Sequence, residues 1–385
     1  MKFTATDNDM MARALTLAER GLWTTQPNPR VGCVIAHGAT IVGEGWHERA
    51  GEPHAEVLAL RDAGEKSRGS TVYVTLEPCA HHGRTPPCVD ALVAAQVARV
   101  VAATGDPNSK VDGRGLEKLR AASIEVSSGL LHGEARALNP GFFSRFERAR
   151  PWVRVKVAAS IDGRIALANG ESKWITGPDA RADVQRWRAR SSAIMTGIGT
   201  VLADDPHLTA RPDQALASSS DETTRCEFVP PLRVILDARL RTPAHAHVLD
   251  RKAPTLIVHA RDASPTDGRF EQVERLAVES DDGRLDIATV LKALAEREIN
   301  ELQVEAGSIL TGALLAGGFV DEFLLYVAPI LLGDTARPMA VLPPLTAIDQ
   351  GRAMTLVEQR AFGQDWRLRL MPAAAKEDID VHRNH

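Results

Sequence analysis

The chain has 385 residues, with 46 Lys and Arg against 50 Asp and Glu, 12 His and 4 Cys. At roughly 100–200 residues per domain this length predicts two domains, each with its own core. The 44% hydrophobic and 25% charged content excludes disordered and fibrous classes, and the net charge of −4 argues against a protein built to wrap nucleic-acid phosphates.

The N-terminal segment carries Asp7, Asp9 and Glu19 and lacks the apolar stretch of a signal peptide. Met10, Met11, Leu15 and Leu17 follow helical spacing over about 8–21, with Asp7 or Asn8 as cap. A hairpin-like pair follows, Val31–Ala36 and Ile41–Trp46, around His37-Gly38-Ala39. Then come a helical run His54–Ala63, strand Thr71–Leu76, helix Val89–Gln96, strand Arg99–Thr104, helix Gly115–Ala122 and a strand near Ile124–Val126. The turn-rich segment Leu138–Pro151, with Asn139-Pro140-Gly141, marks the domain junction.

A second α/β set begins with strands Val153–Ala159, Ala193–Thr196, Arg233–Leu236 and Thr255–Val258. Helix Asp286–Arg297, strand Glu301–Glu305, helix Ile309–Ala316 and strand Glu322–Val327 follow. Closing strands near Met354–Gln359 and Trp366–Leu370 have no helix between them, which predicts an antiparallel edge. Pro212–Glu227 reads as a solvated loop and the tail after Pro372 as disordered. The expected domains are 1–148 and 149–372, with 373–385 as tail. The longest apolar run, Phe323–Leu332, contains Pro329 and falls short of the ~18–20 residues of a membrane span, so a cytoplasmic, reducing setting is expected.

His54-Ala55-Glu56 opens a helix, Glu77-Pro78-Cys79 follows a strand, and Cys88 lies nine residues beyond Cys79. One imidazole and two thiolates suit Zn2+ and leave its fourth tetrahedral position open, as in catalytic sites. Zinc brings the pKa of water towards ~7, and Glu56 is placed to carry the water proton to a leaving amine. His-x-Glu followed by Pro-Cys and a second Cys is the pattern of zinc deaminases. The eight residues AHHGRTPP between the thiols are a longer spacing than Cys-x-x-Cys, and His81 and His82 within them are rival ligands. Cys33 falls in an apolar strand and reads as packing; Cys226, in the polar loop, has no evident partner.

Asn28 and Arg30 lie in a loop ahead of the first strand, where they can hold a pyrimidine edge or a phosphate; Asn-Pro as turn chemistry and Arg as surface charge explain them equally well. No Gly-x-Gly-x-x-Gly follows a strand, and Gly197-Ile198-Gly199-Thr200 reads as a strand-to-helix turn. At Glu305-Ala306-Gly307-Ser308-Ile309-Leu310-Thr311-Gly312 a strand ends and a helix begins, a place where backbone N–H groups can take a phosphate. A helix-entry turn at Gly307 and close packing at Gly312 are the plainer alternatives.

The words PNPRVGCVI, HAEVLAL, TLEPCAHHGRTPPC and GDPN, and in the second half KVAASIDGRIA, GESKWITG, TGIGTVLADDPHLTAR and VEAGSILTGALL, together resemble the bifunctional deaminase–reductases of riboflavin biosynthesis. The resemblance spans about residues 8–371, and the long cysteine insert belongs to it. It implies a cytidine-deaminase-like zinc domain followed by a dihydrofolate-reductase-like domain. The first would remove the 2-amino group of 2,5-diamino-6-ribosylamino-4(3H)-pyrimidinone 5′-phosphate; the second would reduce the ribosyl chain with NADPH. By the same resemblance, zinc ligands are His54, Cys79 and Cys88, and Glu56 is catalytic. Cofactor contact is carried onto Ala158, Trp174, Thr200, Asp204, Ala238, Gly307, Ser308, Ile309, Leu310, Thr311, Gly312 and Ala313, and substrate contact onto Asn28, Ser172, Arg188, Leu208, Arg211 and Glu305. Arg188 and Arg211 suit a ribose phosphate, while Arg181, Arg186 and Arg190 read as a solvated helix face. Lys156 and Asp162 can meet the sugar, and Trp174 can equally be core. A homodimer or higher homo-oligomer is also implied.

A deaminase of nucleic-acid bases would need a basic groove with stacking aromatics, yet only 4% of residues are aromatic. A purely structural zinc module would leave Glu56 beside an open position without explanation.

Overall fold

The computed structural model describes residues 3–80, 87–108, 111, 113–211 and 227–373. His81, His82, Cys226, nearly all of the loop 212–227 and the tail beyond 373 lie outside the described residues.

Helix α1 (Ala5–Glu19) starts ahead of its apolar pattern because Thr4 caps it, in place of the expected Asp7 or Asn8. Asp7 instead closes the capping box, accepting the Thr4 N–H at 2.8 Å, and its other oxygen takes the Tyr73 hydroxyl and the Arg99 guanidinium. Strands β1 (Gly32–His37) and β2 (Thr40–Trp46) form the hairpin, followed by α2 (Ala55–Ala63), β3 (Thr71–Val74), α3 (Cys88–Ala94), β4 (Arg99–Ala102), α4 (Arg114–Ala121) and β5 (Glu125–Ser128). They make a sheet in the order β2-β1-β3-β4-β5, antiparallel at β1 and parallel from β3 to β5. Met11, Ala14 and Leu17 of α1 cover one face, against Val34, Tyr73 and Val101. Ala59, Leu92 and Leu119 of the other helices cover the opposite face, and Cys33 packs there, fully buried. A Cβ on Gly45 would stand 2.5 Å from the Ala55 carbonyl oxygen, so glycine in β2 is what lets α2 settle onto the sheet.

The junction read as turns contains two helices, α5 (His132–Leu138) and α6 (Pro140–Arg148). The Asn139-Pro140 turn signal marks a helix start: proline occupies the first turn of α6, where its missing N–H costs nothing. The Asn139 carboxamide is taken up by the main chain of Arg30.

The second half runs β6 (Trp152–Ser160), β7 (Arg164–Ala166), α7 (Pro178–Arg190), β8 (Ala193–Gly197), α8 (Ile198–Asp204), β9 (Leu232–Leu236), β10 (Thr255–Ala260) and β11 (Glu274–Val278). Then come the short pair β12 (Ser280–Asp281) and β13 (Arg284–Leu285), α9 (Ile287–Glu296), β14 (Glu301–Val304), α10 (Ser308–Ala316), β15 (Glu322–Ala328), β16 (Arg337–Pro338), β17 (Met354–Phe362) and β18 (Asp365–Pro372). Nine strands pair in the order β11-β10-β9-β8-β14-β6-β15-β18-β17, parallel except for the antiparallel edge β18-β17 that the missing helix predicted.

Alternation sorts the two faces of this sheet. Val153, Val155, Leu302 and Val304 meet α9 and α10 through Leu291, Leu294 and Leu314. The intervening residues, Arg154 and Lys156 on β6, Glu301 and Gln303 on β14 and Glu305 just beyond it, occupy the face covered by α7, where Arg188, Arg190 and Trp187 meet them. Glu301, at 1% side-chain exposure, accepts Arg30 at 2.7 Å, Arg154 at 2.8 Å and Arg190 at 3.1 Å. Two expectations change here. Arg30 is a buried link between the two sheets, unavailable to a pyrimidine or phosphate, and Arg190 is no solvated charge. Among the described residues no helix is long and apolar enough to cross a membrane.

Candidate functional site

Two helix starts and one strand end converge on the first site. His54 is the N-cap of α2, Cys88 is the first residue of α3, and Cys79 follows β3. His54 Nδ1 lies 3.2 Å from Cys88 Sγ and 3.6 Å from Cys79 Sγ, and the Cys88 N–H points at Cys79 Sγ at 3.4 Å. Donors about 2.0–2.3 Å from a tetrahedral zinc stand ~3.5 Å apart, so the spacing fits that ion. Helix N-termini favour the anionic thiolate. The hydrogen bond from Cys88, aided by one from His54, overcomes burial and holds the Cys79 thiol well below the usual thiol range, while the same Cys79–Cys88 contact and burial push Cys88 up. Among the described residues, His54, Cys79 and Cys88 are the one group spaced to hold a metal.

Glu56, in the first turn of α2, is 3% exposed. Burial pushes its carboxyl up, and its side chain reaches Cys88. Asn28 is half-buried in the loop before β1, where its Nδ2 donates to His47 Nε2 at 3.0 Å. The His47 ring stands edge-on to His54 with centroids 5.3 Å apart. Sequence reasoning missed His47, because a single histidine after a strand carries no local signal. It named Glu77 as part of the Glu-Pro-Cys motif but gave it no role; its buried carboxylate accepts main-chain N–H groups of Gly113 at 3.0 Å and Gly115 at 2.9 Å. Glu77 thereby ties the start of α4 to the turn that carries Cys79.

The second constellation gathers at the carboxyl ends of adjacent parallel strands, where open α/β sheets place their ligands. Ala158 is near the end of β6, Thr200 is in the first turn of α8 after β8, Ala238 follows β9 and Gly307 caps α10 after β14. No atom lies within 4 Å of where a Gly307 Cβ would stand, so the helix start is open to a ligand, with Ser308 and the 78%-exposed Ile309 beside it. Leu310 leans on the core and Ala313 is exposed. Thr311 and Gly312 turn inward: a Gly312 Cβ would meet the Val341 carbonyl oxygen at 1.8 Å, which makes Gly312 a close-packing position. Trp174 is 70% exposed rather than core, with Arg181 stacked 4.6 Å from its ring centroid. Ser172 donates to Asp204 at 3.3 Å.

Arg188 grips Glu305 through two 2.7 Å bonds and also donates to the Thr209 carbonyl, which uses three of its five N–H groups. Gln303 adds a third donor to Glu305, whose carboxyl is held down to about 2 by Arg188 and Lys156 against the effect of burial. The Arg211 charge lies near Arg188, and both Arg211 and Lys156 feel the charge of Glu305 without forming a salt bridge to it. Leu208 is 2% exposed within an apolar cluster, so its side chain is committed to the core. Asp162 spends its carboxylate on the Leu332 and Gly333 N–H groups and on Ser160, which removes it as a partner of the sugar.

Comparison with known proteins gives this geometry a family. The model of the cytidine and deoxycytidylate deaminase zinc-binding region matches residues 4–104, and that of the RibD C-terminal domain matches 151–368. Riboflavin biosynthesis protein RibD of Escherichia coli (strain K12) is 49% identical over 373 residues, covering 95% of this chain and 100% of that protein. Its Haemophilus influenzae counterpart is 45% identical, covering 97% and 99%. Among solved structures, Acinetobacter baumannii RibD matches with a TM-score of 0.87 at 44% identity, covering 96% of this chain and 99% of that one. The Thermotoga maritima diaminohydroxyphosphoribosylaminopyrimidine deaminase/5-amino-6-(5-phosphoribosylamino)uracil reductase matches at 0.82 and 32%, with the same coverage. With a zinc-deaminase half and a reductase half matched in order and along nearly its whole length, this chain belongs to the RibD family of riboflavin biosynthesis, bifunctional enzymes that join a deaminase to a reductase.

Proposed function

We propose that residues 1–148 hydrolytically remove the 2-amino group of 2,5-diamino-6-ribosylamino-4(3H)-pyrimidinone 5′-phosphate, and that residues 149–372 then reduce its ribosyl chain to ribityl with NADPH. The observation that carries the reading is the His54, Cys79 and Cys88 donor set with Glu56 buried beside it. Those residues would hold zinc, which when bound would acidify a water towards neutral pH. Glu56 takes a proton from the attacking water and delivers it to the departing amine, so that a C–N bond is exchanged for C–O and ammonia leaves. Asn28, steadied by His47, contacts the pyrimidine.

In the second half NADPH supplies the hydride. The open N–H groups around Gly307 to Ile309 receive a cofactor phosphate, and Trp174 offers an exposed apolar surface beside Ser172 and Asp204. Lys156, Arg188 and Arg211 against Glu305 leave a local charge of about +2, which suits the substrate phosphate. Reduced thiols at Cys33, Cys79 and Cys88 fit a cytoplasmic enzyme, and a homodimer is part of the proposal, to be checked by sedimentation velocity.

The decisive experiment incubates the protein with the diaminopyrimidine phosphate, with and without NADPH, and weighs the products. NH exchanged for O without NADPH, and two further hydrogens with it, is the expected pair of results. Release of ammonia from cytosine in DNA or RNA, with none from the pyrimidine phosphate, would overturn the reading.

A further inference from the structure

The loop between α1 and β1 belongs to the deaminase half in sequence, yet its anchors lie on the other sheet. Asn300, just ahead of β14, donates from Nδ2 to the Pro27 carbonyl at 2.7 Å. Gln26 donates to the Arg190 carbonyl and accepts the Ser192 hydroxyl. Arg30 ends in the carboxylate of Glu301. Residues on both sides of Asn28 are therefore fixed by the reductase half, while Asn28 itself reaches back to His47 beside the metal-binding cluster.

Asn300 is a rigid support. It is 4% exposed; its N–H donates to Ser192 Oγ at 3.1 Å, and its carbonyl accepts the Trp152 N–H at 2.8 Å. The Ser192 hydroxyl that receives Asn300 also donates to Gln26, so one polar cluster grips the loop at two points. Asn28 and Asn300 line a shared small cavity of about 10 Å³, room for a water at most.

We propose that Asn300 of the reductase half is a positioning residue for the deaminase site, setting the 26–30 loop so that Asn28 meets the pyrimidine. This rests on the reading of Asn28 as a substrate contact. Asn300 touches no reacting atom; it acts through the Pro27 carbonyl.

The test uses the full-length zinc-loaded protein and two separate assays. Ammonia release from the diaminopyrimidine phosphate without NADPH reads the first site; NADPH oxidation with the deaminated intermediate reads the second. Asn300→Ala is expected to raise the deaminase KM roughly 5- to 20-fold, with kcat changed less than about twofold. Zinc content and the reductase kcat/KM stay at wild-type values. Gln26→Ala, which loosens the loop from its own side, raises KM in the same way and stands in should Asn300→Ala fold poorly. In an Asn28→Ala background, Asn300→Ala adds little further, because both act on one contact.

An unchanged deaminase KM in both loop variants overturns the proposal. So does an equal loss of both activities or of zinc, which would make Asn300 part of the fold alone. If Asn28→Ala leaves KM unchanged while Asn300→Ala raises it, the Asn28 assignment fails and the positioning of the loop stands.

Discussion

Replacing Glu301 by Gln tests whether the two halves are joined through one buried anion. The carboxylate lies within 3.1 Å of Arg30, Arg154 and Arg190, and the side chains of the first two are 4% and 1% exposed. Burial raises a carboxyl pKa, yet Arg190, Arg30 and Arg154 together hold Glu301 well below the usual carboxylate range. Glutamine keeps the shape and an acceptor oxygen but leaves three guanidinium groups with Glu322 as the remaining anion of the cluster, bonded to Arg154 at 2.8 Å and to Arg369. Breaking a buried pair by removing one partner costs about 3–5 kcal/mol. The retained hydrogen bonding places this case near 3 kcal/mol, a midpoint shift on the order of 10 °C for domains of this size. Thermal and urea unfolding followed by tryptophan fluorescence read it, since Trp187 stacks 4.6 Å from the Arg154 guanidinium and Trp152 donates to Glu322. Raising salt to 0.5 M should leave the difference in place, because buried pairs are poorly screened. A loss below ~1 kcal/mol, or one that salt erases, would refute the reasoning.

The remaining predictions concern acid, metal and charge. Glu322 has its carboxyl held down to about 2, against the effect of burial, by Arg154 and Arg369, so its contribution to stability is complete above its unfolded value and lost as pH falls from ~4.3 towards 2. Urea unfolding between pH 7 and 3 should show stability dropping below about pH 5; a flat profile would contradict the buried pairing. Chelation of zinc should abolish ammonia release while NADPH oxidation with supplied deaminated intermediate continues, and joint loss of both would show that the metal serves the whole fold. Arg211→Ala should raise the reductase KM for the phosphorylated intermediate about 10- to 100-fold and barely alter that for its dephosphorylated form. Equal effects on the two forms would remove Arg211 from the phosphate site.

Much of the candidate metal site is legible in the sequence because its residues sit at element boundaries. His54 and Glu56 open a helix, Cys79 leaves a strand and Cys88 starts the next helix, and residue types as specific as thiolate and imidazole stand out there. The strand order of the second sheet and its burial are harder to read. Glu301, Gln303 and Glu305 alternate with Leu302 and Val304, a pattern that ordinarily marks a half-solvated strand, yet β14 is central and covered on both faces. The cover is α7, whose arginines neutralise the acidic row, so what looks like a solvent face is a buried ionic seam. Arg30 was invisible as a link for the same reason: its partner lies 271 positions away. At the junction, Asn139-Pro140 carried a turn signal and a helix-start signal at once, and packing of Phe142 and Phe143 against Leu76 decided for the helix.

The most direct test of the account is Glu56→Gln in the full-length protein, with zinc measured by elemental analysis and ammonia release followed from the diaminopyrimidine phosphate. The donors His54, Cys79 and Cys88 are untouched, so zinc should remain at one per chain while the loss of the proton carrier lowers the deamination rate by about 10²–10⁴-fold. Wild-type ammonia release from a zinc-loaded Glu56→Gln protein would contradict it.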